Sequence, residues 1–187
     1  VSAVVLSAAY GLDQGFDVYS EPEPQTSAPV VALSQRTSRE VTDDALRWLD
    51  EREGDEPFFL WVHYFDPHFP YAAPPQFVEQ AGGKPYLAEV AAMDHDVGRL
   101  VDRLDAQLGE HGYLLAIVAD HGESFGRHGE PTHTAYAYEA TIHVPFLLRF
   151  PDGRRAGTRS DELISVVDLF PTFLDVLGLG SAGDVDG

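Results

Sequence analysis

The chain has 187 residues, long enough to bury a core, and its 44% hydrophobic and 11% aromatic content is ordinary for a soluble globular protein. A formal net charge of −19, from 12 Lys and Arg against 31 Asp and Glu, excludes the basic patch that nucleic acid or an anionic membrane surface requires. The absence of Cys excludes a disulfide framework, a thiolate metal site and a cysteine nucleophile, and no apolar run approaches the length of a membrane span. In chain order, Val1–Leu6 is β-branched and weakly alternating, so it is expected as a strand. A chain that starts at Val1 without Met, inside an apolar segment, reads as the middle of a longer protein. Gly11–Tyr19 is a turn-rich loop with aromatics, and the alternate prolines of Glu21–Pro29 exclude helix.

Ser38 is a candidate cap for a helix over Arg39–Glu53, with Val41, Ala45, Trp48 and Leu49 on one buried face. Asp43-Asp44 falls in its early turns, where negative charge complements the helix dipole. Pro57–Phe65 reads as a buried strand that ends in Asp66-Pro67-His68-Phe69-Pro70-Tyr71. A long amphipathic helix follows over Tyr86–Gly109, with Leu87, Val90, Val97, Leu100, Val101, Leu104 and Leu108 toward the core. Asp94 shares that face and is expected to be buried and paired. Leu114–Ala119 is a second continuous apolar strand, and it stops at Asp120-His121-Gly122-Glu123. A Gly- and His-rich loop, Ser124–Thr134, leads to a short helix over Tyr136–Thr141 and a strand over Val144–Phe150. Leu163–Ser165 is expected as a short strand, Val167–Leu177 as a helix stopped by Gly178, and Gly180–Gly187 as a frayed tail. This alternation of strands and helices predicts a mostly parallel sheet covered on both faces, a three-layer α/β/α domain.

Ligands of such sheets sit beyond the carboxyl ends of the strands, so the strand tips carry the functional argument. Asp120 and His121 are fit ligands for a divalent ion, with Gly122 letting the backbone turn past them, although two donors do not complete a site. His68, stiffened by Pro67 and Pro70, is a candidate donor to a bound oxyanion; so are His133 and, as substrate contacts, His63 and His128. His95, His111 and His143 are read as structural. An acidic protein handling an anionic ester needs a metal or local cations beside it.

These residues together resemble the carboxy-terminal part of the catalytic domain of the sulfatase family, within the alkaline phosphatase superfamily. Gly11-Leu12-Asp13-Gln14-Gly15-Phe16-Asp17 is similar to the family's GFD segment, and Phe58–Tyr71 to its FFLxxHxxxPHxPY element. Tyr86–Leu104 resembles the next helix, with Glu89, Asp94 and Gly98 at the usual places. Asp120–Gly126 followed by His128-Gly129-Glu130 resembles the DHGESxGxHG form of the metal-binding loop. His133, Tyr138-Glu139, Val144–Leu147 and Val166–Thr172 match the continuation to the closing helix.

The resemblance implies an alkaline phosphatase-like α/β/α fold and a parent enzyme that hydrolyses sulfate esters. It implies that Asp120 and His121 hold one divalent ion, Ca²⁺ or Mg²⁺, with Mn²⁺ and Zn²⁺ as further candidates. His68 would then donate to the sulfate and leaving-group region, and His133 would stand where many members carry Lys. The family's nucleophile is a formylglycine made from Cys or Ser in a Cys/Ser-x-Pro-x-Arg motif. Ser27-Ala28-Pro29-Val30-Val31 has the Ser and Pro but no Arg, and the family's paired Asp on the first strand is also missing. The expectation is therefore one partial catalytic domain over residues 1–187, its amino-terminal portion missing, inactive alone, whose partner is a small anionic ester. Two rival readings stand beside it. One is a phosphonate monoester or phosphodiester hydrolase of the same superfamily. The other is a non-catalytic fragment that dimerises through an exposed sheet edge.

Overall fold

The computed structural model describes residues 1–22, 35–133, 135–181 and 183–187. All but the first two residues of the Glu21–Pro29 segment, and the whole Ser27–Val31 stretch, lie outside the described residues. The chain divides into two compact units, Val1–Leu104 and Asp105–Gly187.

The first unit is built on α1 (Ser38–Glu51), α2 (Pro75–Gln80) and most of α3 (Pro85–Leu108). Thr37, not Ser38, caps α1. Its hydroxyl accepts the Glu40 N–H at 3.3 Å while the Glu40 carboxylate accepts the Thr37 N–H at 2.8 Å, a reciprocal capping box. Ser38 is thereby the first helical residue, and it donates its N–H to Asp66 at 2.7 Å and its hydroxyl to Asp96 at 2.9 Å. Val41, Thr42, Ala45 and Leu49 form the buried face of α1, and Trp48 packs edge-on against Phe58 with ring centroids 5.2 Å apart. Asp43 and Asp44 act as ion-pair partners: Arg99 meets Asp43 at 2.6 Å, and Arg36 and Arg47 both meet Asp44. The short α2 was not expected from the sequence; Pro75 at its first position is the signal for it.

α3 buries Ala88, Glu89, Ala92, Asp96, Leu100 and Leu104, a face turned from the one expected. Leu87 is exposed, and Val90, Val97 and Val101 are half-buried. Leu100 and Leu104 are buried as expected, but in the first half of the helix Ala88 and Ala92 take the inward positions instead of Leu87 and Val90. In consequence the buried, paired carboxylate is Asp96, held by the Ser38 hydroxyl and by Arg99 at 2.9 Å, whereas Asp94 is exposed.

Neither strand expected in this unit forms a ladder among the described residues. Ala3 makes one isolated bridge to Gln35, and the chain then coils into two 3₁₀ turns, Val4–Leu6 and Ala8–Tyr10. Pro57–Phe65 keeps a strand's alternation, with Phe58, Leu60 and Val62 half-buried while Phe59 and Trp61 are exposed. Buried apolar side chains among the described residues all belong to this unit: Val1, Ala3, Val41, Ala45, Leu49, Ala88, Ala92, Leu100 and Leu104.

The second unit carries β1 (Leu115–Val118), α4 (Glu139–Ile142), β2 (Phe146–Arg149) and α5 (Leu169–Leu177). β1 and β2 pair antiparallel, from Leu115 opposite Arg149 to Val118 opposite Phe146. The unit is thus α/β with a small antiparallel sheet, and the parallel sheet expected from the element order does not appear among the described residues. The reason is local: the described residues between Ala119 and Pro145 form turns, a 3₁₀ turn and a four-residue α4, not a long crossover helix, before the chain returns beside β1. Leu163–Ser165 is not a strand, and Leu163 is fully exposed. α5 ends as expected at Gly178, which takes a left-handed conformation at φ 66°. A further anchor ties the end of α3 to β2: Asp105 accepts from Arg149 at 2.8 Å and from the Tyr113 hydroxyl at 2.7 Å. Arg149 and Tyr113 hold the Asp105 carboxyl below the usual range, while burial and the bond to Asp105 push Tyr113 up to about 12. No helix among the described residues is long and apolar enough to cross a membrane.

Candidate active site

β1 delivers its chain to Asp120 and His121 at the mouth of an open cleft of about 480 Å³. The cleft is lined by residues that include Asp120, His121, His133, Tyr136, Ile164 and Val166, with no Lys or Arg in its lining among the described residues. Asp120 Oδ1 accepts the His121 N–H at 2.9 Å, and Oδ2 lies 3.7 Å from His121 Nε2. His121 Nδ1 is 2.9 Å from the Gly122 carbonyl, which can only accept. Nδ1 therefore carries a proton, and Nε2, the acceptor of the ring in that tautomer, lies on the side of Asp120. A backbone carbonyl that fixes the Nδ1–H tautomer is the usual support for a histidine that ligates through Nε2. The pair thus fits two ligands of a divalent ion, and among the described residues no third ligand joins them.

Gly122 does not adopt a left-handed conformation, so turning is not why it is glycine. Its place is one of close approach: a Cβ there would lie 2.3 Å from the Ala140 carbonyl oxygen, and its N–H donates to Thr141 at 2.8 Å. The loop that follows β1 is pressed against α4 by this contact.

The structure brings His133 to the same place. Its ring stacks on His121 with centroids 4.0 Å apart and planes at 24°. His133 Nδ1 meets Glu123 Oε2 at 3.2 Å, and Glu123 is nearly buried, its side chain 9% exposed. A carboxylate can only accept, so His133 Nδ1 is a donor and the ring is held against Glu123. The role of Glu123 was not foreseen; a carboxylate following Asp-His-Gly was the available signal. His128 is exposed, takes a left-handed backbone at φ 56°, and stacks on Tyr138 at 4.1 Å. Ser124 and Glu130 are the buried pegs of this loop: Ser124 donates its hydroxyl to the Arg127 carbonyl at 3.0 Å, and Glu130 accepts the Ala135 N–H.

His68 and His63 belong to the first unit. The His68 ring stacks on Phe65 at 4.0 Å, and its Nδ1 donates to the Phe69 carbonyl at 2.7 Å. With Nδ1 committed as donor, Nε2 accepts in the neutral ring and donates only in the imidazolium. His63 Nδ1 bonds the buried Ser2 hydroxyl at 2.9 Å and lies edge-on to Trp61. The carboxyls around His68 are shifted. Burial raises Asp66 above the ordinary range despite its bonds from Ser38, and burial raises Glu89 despite two backbone N–H donors.

With fold and site in view, comparison with known proteins defines first the fold and then the family. A solved structure, the phosphonate monoester hydrolase of Agrobacterium radiobacter, superposes with a TM-score of 0.68 at 22% identity, over 90% of this chain and 44% of that one. The family model described as Sulfatase matches residues 6–179, and the chain belongs to that family. N-acetylglucosamine-6-O-sulfatase of Bacteroides thetaiotaomicron is 34% identical over 103 residues, 54% of this chain and 18% of that protein. Steryl-sulfatase of Rattus norvegicus is 31% identical over 158 residues, 78% of this chain and 26% of that protein. The chain therefore spans about a fifth to a quarter of the length of these two relatives.

Proposed function

We propose that the chain is one part of a sulfatase-type catalytic domain whose parent hydrolyses sulfate esters of small anionic substrates. The carrying observation is His121: its Nδ1–H is committed to the Gly122 carbonyl, and its Nε2 faces the Asp120 carboxylate beside a cleft that also holds His133. Asp120 and His121 would hold a divalent ion, Ca²⁺ or Mg²⁺, together with further carboxylates that are not beside them among the described residues. Bound there, the ion supplies positive charge against the ester oxygens, which the cleft's own lining of no Lys or Arg makes necessary. His133, held by Glu123, offers a proton donor to the ester or leaving oxygen in place of a lysine. His68 is proposed as a further donor to the ester, through Nε2, since its Nδ1 is already committed to Phe69. His128 and His63 are outer contacts to substrate.

The nucleophile of this chemistry, a formylglycine in a Cys/Ser-x-Pro-x-Arg motif, has no counterpart among the 187 residues. The complete catalytic domain would extend the small sheet into a mostly parallel three-layer α/β/α core, and this chain alone would be inactive. A second reading, phosphonate or phosphodiester hydrolysis, is favoured by the likeness to the phosphonate monoester hydrolase. Rates on matched aryl sulfate, phosphate diester and phosphonate monoester substrates, measured on this chain and on a full-length protein containing it, test both readings. Sulfate turnover by the longer protein alone is the expected result. Preference for the phosphorus esters selects the second reading, and robust sulfate turnover by the 187 residues overturns the proposal that the chain is inactive alone.

A further inference from the structure

The turn that presents His68 is fastened by a carboxylate that the proposed chemistry does not use. Glu89, on the buried face of α3 and 5% exposed, spans the turn: Oε2 accepts the His68 N–H at 3.0 Å and Oε1 accepts the Ala72 N–H at 2.6 Å. Residues 68–72 have no ladder of their own, so without Glu89 two backbone donors beside a packed helix would have no acceptor in these bonds. Just before the turn, Asp66 accepts the Ser38 N–H at 2.7 Å, so the segment is held from α1 as well as from α3. The ring is then fixed from two sides, its face on Phe65 and its Nδ1–H on the Phe69 carbonyl.

We propose that Glu89 is a positioning residue, a two-oxygen clamp that closes the 68–72 turn and fixes the height and tilt of the His68 imidazole. The functional part of this inference rests on His68 being a donor to the ester; the clamp itself does not. Only a carboxylate at this reach makes both bonds. Glutamine has one accepting oxygen and an NH₂ that would confront a second donor, and aspartate is one methylene too short to reach both amides.

The test uses the whole 187-residue chain and three readouts by NMR. In Glu89→Gln, amide exchange at His68, Ala72 or both accelerates by at least about tenfold while α1 amides stay protected, as expected for loss of a charge-assisted bond. The His68 ring nitrogens lose the single Nδ1–H signature and average toward both tautomers, a change that a glutamate of purely structural weight would not produce. In the unmodified chain, through-bond couplings connect the His68 and Ala72 amide nitrogens to the Glu89 carboxyl carbon; this reading stands even where the variant fails to fold. A folded Glu89→Gln chain with unchanged exchange and ring signals, or an unmodified chain without those couplings, overturns the clamp. Titration with inorganic sulfate separates the two levels. A His68 response weakened in the variant supports positioning, and an equal response in both chains overturns it. With no response in either chain, the reading of His68 as a sulfate donor fails while exchange and couplings still decide the clamp.

Discussion

Replacing Gly122 by Ala should disturb the proposed ligand pair, Asp120 and His121, from behind, without altering either side chain. The added Cβ would lie 2.3 Å from the Ala140 carbonyl oxygen, where real Cβ atoms keep at least 3.0 Å, so backbone must open by about 0.7 Å. The obstacle is main chain on α4, not the end of a flexible side chain, and Gly122 is itself bonded to Thr141 at 2.8 Å. Overpacking of this kind costs about 1–3 kcal/mol, read as a lower urea midpoint at unchanged slope. The Gly122 carbonyl that fixes the His121 tautomer moves with the backbone, so divalent-ion affinity should fall about tenfold or more, as for other losses of ligand support. Gly126→Ala is the control. Gly126 is left-handed at φ 81° with nothing within 4 Å of an added Cβ, so it should cost about 1–2 kcal/mol through conformation alone and leave His121 unchanged. Stability measured by urea titration and the His121 ring nitrogen shifts report on both variants. If Gly122→Ala keeps wild-type stability and the His121 Nδ1–H signature, the close-approach argument is refuted.

Three further outcomes follow from the packing and the titration behaviour. Leu49→Ala, at a side chain 1% exposed in the α1 core, should lower unfolding free energy by about 2–5 kcal/mol in urea titration. Thr37→Ala removes one half of the α1 capping box and should cost about 1 kcal/mol in the same assay, with Thr37→Ser near neutral. Tyr113, raised from 10.0 to about 12, keeps its proton in the folded chain after the unfolded chain has lost it. Its contribution is therefore complete below pH 10 and is lost as pH rises toward 12; the Tyr113→Phe chain should lack this component in stability measured against pH.

The motifs and the order of elements were legible because they are local. The apolar run of β1 and its abrupt end at Asp120-His121, the periodic face of α1 and the Gly178 stop of α5 all declare themselves within a few residues. What was misjudged depends on partners distant in sequence. The face of α3 was placed on its large residues, whereas close packing favours Ala88 and Ala92 and draws Asp96 inside with them. Alternation of elements does not give the direction of each pair, and among the described residues the β1–β2 connection is made of turns and the short α4, so this one pair is antiparallel. Pairing of His121 with His133 follows from a loop path that no periodicity encodes. The two supporting carboxylates, Glu123 and Glu89, were within reach as residues but not as roles, since each acts through a bond to a group ten or more positions away.

The central claim is that Asp120 and His121 are a ligand pair, and Mn²⁺ used as a paramagnetic stand-in tests it most directly. Titrated into the isotope-labelled chain, Mn²⁺ should broaden the His121 ring and Asp120 signals before all others, and Asp120→Asn should abolish that selectivity. Broadening that begins elsewhere on this acidic chain, or that persists at His121 in Asp120→Asn, would contradict the claim.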